Sequence, residues 1–274
     1  MYDFDFCGLF TGFKGKKVQI FHGVIEKNWT YQHPDIKNYD ALLVPGKFAY
    51  KRLLSQGISK DKIFEVGFPK LDKILRGEYD REKILREEGI EDAEKIVLYC
   101  PTHTNLSTEK EMFELFCSIE KQLPFKLIVK LHDGTKMAKD YNTRFHGSDN
   151  IKISNRLSNV ELFAVADLLV SDVSSSIFEF ALLNRPIIQL SFPKIRNALK
   201  NYGDSLEVVL RKKMGIELEN PQHFVDTATW LLDNEDNFRY LRQTAVSEIF
   251  SFTDGYSGKR AADVILSLLK TPSY

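Results

Sequence analysis

The sequence predicts an α/β protein of two Rossmann-like units with parallel sheets, the N-terminal unit shortened. Three observations predict it. Short apolar runs recur along the chain, each closed by polar or Gly/Pro punctuation, the pattern of buried strands. Helical patterns follow most of these runs, and alternation of this kind requires parallel strands with ligand loops at their C-terminal ends. A charged, helix-prone stretch ending at Glu94 separates one series of strands from the other.

In chain order, residues 1–78 carry KKVQIFHG, DALLVPG and KIFEVG. These are fewer strands than a complete nucleotide-binding fold has, so this unit reads as a shortened domain. Residues 79–94 read as a linker helix, rich in charge and poor in apolar periodicity. Residues 95–274 carry KIVLYCPT, FKLIVKLHD, NIKIS, DLLVSD and PIIQLS, and read as a Rossmann-like domain that holds a phosphate-bearing, nucleotide-linked ligand. From about Phe224 the pattern is helical, with apolar residues three and four apart. These helices are expected on the second unit, with the last a candidate to return to the first.

Composition narrows the function. Thirty-eight basic and 38 acidic residues cancel, and no nucleic-acid-binding signature appears, so no nucleic-acid partner is expected. The 43% hydrophobic content supports a substantial core. Three widely spaced cysteines without CxxC geometry point to a reducing cytoplasm. The acidic start and the lack of a long apolar run argue against a signal peptide or a membrane span. The segment 194–213, with Lys194, Arg196, Lys200, Arg211, Lys212 and Lys213 among apolar residues, is a candidate for peripheral contact with the inner face of the plasma membrane. A solvated helix face is its ordinary reading.

The strongest local signal runs from Asp167 through Ser171, Asp172, Ser174, Ser175 and Ser176 to Glu179, a strand entering a serine-rich helix start. Unpaired backbone donors and the helix dipole there suit a pyrophosphate, although capping by one serine is the plainer alternative. His22 and His132 each follow a strand, where parallel sheets carry catalytic groups and where imidazole titrates usefully. The loop Pro101-Thr102-His103-Thr104 offers further donors, or is simply a proline turn. No pair among the six histidines has metal-ligand spacing, so no metal and no cofactor is expected. GxGxxG, GxxxxGK[ST] and GxSxG are all absent, against a standard dehydrogenase, a P-loop NTPase and an α/β-hydrolase.

Taken in order, these motifs resemble the CDP-glycerol glycerophosphotransferases, the teichoic-acid primase and polymerase family with a GT-B fold. The resemblance runs from about Val18 to Arg260. It is carried by Gln19-Ile-Phe-His22-Gly23, Gly67-Phe-Pro69-Lys70-Leu-Asp72, Tyr99-Cys-Pro101-Thr102 and Val129-Lys130-Leu-His132. It is carried further by Ala166-Asp167-Leu-Leu-Val-Ser171-Asp172-Val-Ser174-Ser175-Ser-Ile-Phe178-Glu179 and by Asp254-Gly255-Tyr-Ser257-Gly-Lys-Arg260. The chain departs from the family at His22-Gly-Val-Ile-Glu26-Lys27, at Pro101-Thr102-His103-Thr104, where Trp-Arg is usual, and at Glu179, where aspartate is usual.

The resemblance implies a GT-B-like pair of units with CDP-glycerol in the cleft, its nucleotide on the C-terminal unit, and release of CMP. His22 is then the base toward a polyol-phosphate, glycan or lipid-linked acceptor, and His132 with Lys130 neutralises phosphoryl charge. Pro101, Thr102, Ser171, Asp172, Ser174, Ser175 and Glu179 bind the donor. Two rivals stand beside this reading: a sugar-nucleotide glycosyltransferase or UDP-sugar 2-epimerase, and a non-catalytic nucleotide-binding module.

Overall fold

The computed structural model describes residues 15–21, 23–24, 34–91, 95–103 and 105–270. The chain divides into two compact units, one holding the residues through Glu78 and those from Thr244 onward, the other spanning Tyr79–Gln243.

The first unit is a parallel sheet in the order β1-β2-β3, formed by β1 (Val18–Ile20), β2 (Ala41–Val44) and β3 (Ile63–Glu65). Strand β2 is buried throughout, as a central strand covered on both faces must be. On one face Ala49 and Leu53 of the helix Lys47–Ser55 join Leu42, Val44, Ile58 and Ile63. On the other, Ala41, Leu43 and Val66 meet Ala261, Val264, Ile265 and Leu268 of the helix Ser257–Lys270.

That last helix is held by the Gly67-to-Asp72 motif. The buried Asp72 carboxylate accepts the N–H groups of Ser257 at 3.0 Å and Gly258 at 2.7 Å, two donors that a helix N-terminus leaves unpaired. Gly67 turns the chain with φ at 87°, and a side chain there would run into Ser257, so both the conformation and the space call for glycine. Asp254, bonded to Arg260 at 2.9 Å, closes the turn before the helix.

The second unit carries β4 (Ile96–Tyr99), β5 (Lys126–Val129), β6 (Ile151–Ile153), β7 (Leu168–Ser171), β8 (Ile187–Leu190) and β9 (Ile216–Leu218). They form a parallel sheet in the order β6-β5-β4-β7-β8-β9. The chain builds outward from β4 to β6, then returns to the other side of β4 and builds outward again. The loops after β4 and β7 therefore part in opposite directions, which opens a crevice at their C-terminal ends, the usual ligand position in such sheets.

Two placements differ from the sequence reading. The stretch 79–94 was expected as a linker, but the helix Arg81–Glu87 is part of the second unit: Ile84 and Leu85 are buried, Arg81 pairs with Asp167 at 3.2 Å, and Arg156 pairs with Glu87 and Glu88 at 2.6 Å each. Its charges serve as tertiary partners, which a pattern of hydrophobicity does not register. The C-terminal helices were placed with the second unit, with the last a candidate to return to the first; residues 244–270 belong to the first, where the apolar stripe of the last helix packs on Ala41, Leu43 and Val66.

Candidate functional site

The crevice between β4 and β7 is built around Asp172. Its side chain has no exposed surface. Oδ1 accepts the N–H groups of Thr102 and Val173, both at 2.7 Å, and Oδ2 accepts the Thr108 N–H at 2.9 Å and its hydroxyl at 3.0 Å. Burial pushes the Asp172 carboxyl up, and the N–H groups of Thr102, Thr108 and Val173 pull against that shift. Tyr99 shares a hydrogen bond with Thr108 at 2.9 Å, and Ser171 donates to the Cys100 carbonyl. From below, the buried Arg211 donates to the carbonyls of Asp172 at 2.8 Å and Leu190 at 3.0 Å. The ends of β4, β7 and β8 are thus tied into one rigid floor, the kind of support a preorganised site needs.

The serine run sits on this floor. Ser174 accepts the Ser176 N–H at 3.3 Å and donates to the Ser176 hydroxyl at 3.2 Å, and Asn159 donates to Ser176 at 2.9 Å. Ser174 therefore serves the helix Ser176–Ala181 as its local cap. Ser175 is half-buried and makes no side-chain cap bond, which leaves its hydroxyl for a further partner. Glu179 lies buried in the first turn of the same helix.

On the other side of β4 stands His132, in the loop after β5. Its Nδ1 accepts the Gly134 N–H at 3.1 Å. Its ring stacks on that of His103, from the loop after β4, with centroids 3.9 Å apart and planes at 21°. Both histidines are exposed, while Pro101 and Thr102 beside them are buried. The Lys130 ammonium is directed at its own loop, donating to the Leu131 carbonyl at 2.8 Å and to Asp133 at 3.3 Å.

The residues singled out in the sequence thus fall into three groups. Ser174, Ser175 and His132 stand on loops at the C-terminal ends of β7 and β5, on either side of β4. Pro101, Thr102, Ser171 and Asp172 form the floor, and Lys130 and Glu179 lie at its margins. His22 lies outside the described residues, as do Glu26, Lys27 and Thr104.

Two contributors escaped the sequence reading as members of this site, and a third was read only in part. Thr108 and Arg211 carry no motif, and only their burial against Asp172 exposes their role. His103 was legible as a donor but not as a stacking partner, because neither loop alone predicts the other's position. The segment 194–213 is no single basic face. It is broken into the helices Pro193–Leu199, Leu206–Val209 and Arg211–Met214, Lys194 pairs with Glu111 at 2.6 Å, Arg196 pairs with Glu219, and Arg211 is buried. No helix among the described residues is long and apolar enough to cross a membrane.

Comparison with known proteins shows the family and the fold. The family model described as CDP-glycerol:poly(glycerophosphate) glycerophosphotransferase matches residues 17–267. The teichoic acid glycerol-phosphate primase of Bacillus subtilis is 31% identical over 140 residues, which cover 49% of this chain and 34% of that protein. The teichoic acid glycerol-phosphate transferase of Staphylococcus aureus is 24% identical over 234 residues, covering 76% of this chain and 55% of the relative. The chain therefore spans well under two thirds of either relative. Among solved structures, the wall teichoic acid polymerase TagF superposes with a TM-score of 0.72 at 17% identity, over 93% of this chain and 69% of that one, a likeness of GT-B-like fold.

Proposed function

This chain belongs to the CDP-glycerol:poly(glycerophosphate) glycerophosphotransferase family, and from that premise we propose that it moves glycerol phosphate, or a related polyol phosphate, from a CDP-activated donor to an acceptor hydroxyl. The observation that carries the reading is the serine-bearing loop after β7 at the point where the strand order reverses, with His132 on the neighbouring side of β4. Donors fixed before the substrate arrives are what phosphoryl transfer needs most.

In this reading the Ser175 hydroxyl and the backbone donors at Ser174 and Ser175 hold the pyrophosphate. His132 donates to a phosphoryl oxygen as charge gathers there. Thr102, Ser171, Asp172 and Pro101 keep the two loops in register, Lys130 sets the potential of the His132 loop, and Glu179 supports the helix start. The acceptor oxygen attacks the β-phosphorus, the bond to the bridging oxygen breaks, and CMP leaves with the bonding pair. His22, following β1, takes the acceptor proton.

The acceptor is a polyol-phosphate, glycan or lipid-linked hydroxyl at the cytoplasmic face of the membrane. Any peripheral contact through 194–213 then falls first to the exposed Lys200 and Lys212, since Lys194, Arg196 and Arg211 are taken up within the unit.

The test is CMP release from CDP-glycerol in the presence of a glycerol-phosphate-primed acceptor, with His22→Ala as the variant. Turnover is expected to fall by about 10² to 10⁴, the usual worth of a positioned acid-base group, with nucleotide affinity held. Release of a nucleoside diphosphate from a sugar nucleotide would instead favour a glycosyltransferase, and nucleotide binding without turnover a non-catalytic module.

A further inference from the structure

We propose that His103 is a positioning residue: its ring, stacked on His132, holds that imidazole in the orientation in which Nε2 meets a phosphoryl oxygen of the donor. The identity of that phosphoryl group rests on the transferase reading above. The two rings come from loops after adjacent strands, β4 and β5. Each is exposed, a setting in which side chains ordinarily exchange rotamers within nanoseconds.

Two of the contacts at His132 bear on its orientation. The Gly134 N–H, at 3.1 Å from Nδ1, fixes one atom of the ring, and that bond by itself leaves rotation about its own axis. The face of His103, at 3.9 Å and 21°, opposes that rotation. Because Nδ1 accepts, the neutral ring carries its proton on Nε2, which makes it a donor suited to a phosphate oxygen. Gly134 passes close to both rings: a Cβ at this position would lie 3.3 Å from His103 Cδ2 and 3.5 Å from His132 Nδ1. Glycine at this turn therefore lets the chain pass both rings without a side chain pressing on the stack. None of this uses the nitrogens of His103, so any flat ring of similar size should serve.

The experiment compares wild type, His103→Ala and His103→Phe in the full chain, with histidine ring resonances followed by NMR and His132 assigned by its disappearance in His132→Gln. In the wild type the His132 signal should carry the ring-current shift of a stacked neighbour and should move on addition of pyrophosphate. His103→Phe should keep both behaviours and His103→Ala should lose the first and weaken the second. With CDP-glycerol, kcat should fall about 10- to 100-fold in His103→Ala at little-changed KM, the scale on which misplacement of a catalytic group is felt, and should stay within about threefold of wild type in His103→Phe.

A His103→Phe variant as impaired as His103→Ala would overturn the proposal, because the nitrogens would then be needed. So would a wild-type His132 signal without the ring-current shift. A wild-type protein that shows the shift and responds to pyrophosphate, yet transfers nothing from CDP-glycerol, would count against the transferase reading while upholding the stack.

Discussion

The two units use the same local plan for different ends. In each, an aspartate beyond a strand is almost wholly withdrawn from solvent: Asp72, which opens the helix Asp72–Leu75 in the first unit, and Asp172, in the loop directly after β7 in the second. Asp72 spends its oxygens on the start of the helix Ser257–Lys270, which binds the last segment of the chain to β1–β3. Asp172 spends its oxygens on the loop after β4 and on its own neighbour Val173. The first aspartate closes a fold, while the second fixes two loops at the place where the sheet order reverses and so prepares a site. A motif aspartate is thus to be read from its bonding partners, since burial beyond a strand does not by itself distinguish scaffolding from site.

Breaking the second unit's clasp should cost more than breaking the first's. In Asp172→Asn the amide nitrogen must face an N–H or hydroxyl donor, leaving buried donors unpaired, and the change should lower stability by about 3 to 5 kcal/mol. Chemical denaturation would measure it, and a loss under about 1 kcal/mol would mean that the loop can rearrange around the change. Asp72→Ala removes only a helix cap and should cost about 1 to 2 kcal/mol. Because the last helix depends on it, proteolysis near the C-terminus should quicken before global unfolding does.

The smallest effect concerns Asp254, whose carboxyl the Arg260 hydrogen bond holds down at about 2, against an ordinary value of 3.8. A depressed carboxyl pKa stabilises the fold above the unfolded value and loses that contribution as pH falls through the folded one. Asp254→Asn should therefore differ slightly from wild type near neutrality, and the difference should vanish as pH drops from about 4 to about 2. A gap that persists at the lower pH would show that packing, and not charge, accounts for the role of Asp254.

How legible each region was follows from its physics. Runs such as Ile96–Tyr99, Leu168–Ser171 and Ile187–Leu190 are buried on both faces, so their unbroken hydrophobicity announced a parallel sheet. Strand β9 went unread, because Ile216-Glu217-Leu218 is brief and its middle residue is exposed. The serine run and His132 were visible as motifs because strand ends carry function in this fold class. The bonds of Arg211, Thr108 and His103 join residues distant in the chain, and one sequence offers no period or spacing that reports them. Ser174 and Ser175 were equals in the sequence, and their hydrogen bonds separate them: Ser174 caps the helix, whereas Ser175 makes no cap bond.

That separation supplies the most direct test of the central claim, that the crevice between β4 and β7 holds a cytidine-linked donor through the serine loop. Calorimetric titration of the full chain with CDP-glycerol, CMP, CDP, UDP and UDP-N-acetylglucosamine, repeated on Ser175→Ala, would make it. The cytidine ligands should be preferred, and their affinity should fall about tenfold in the variant, the worth of one hydrogen bond to a charged group. Preference for the uridine ligands, or an affinity for CDP-glycerol that Ser175→Ala leaves unchanged, would contradict it.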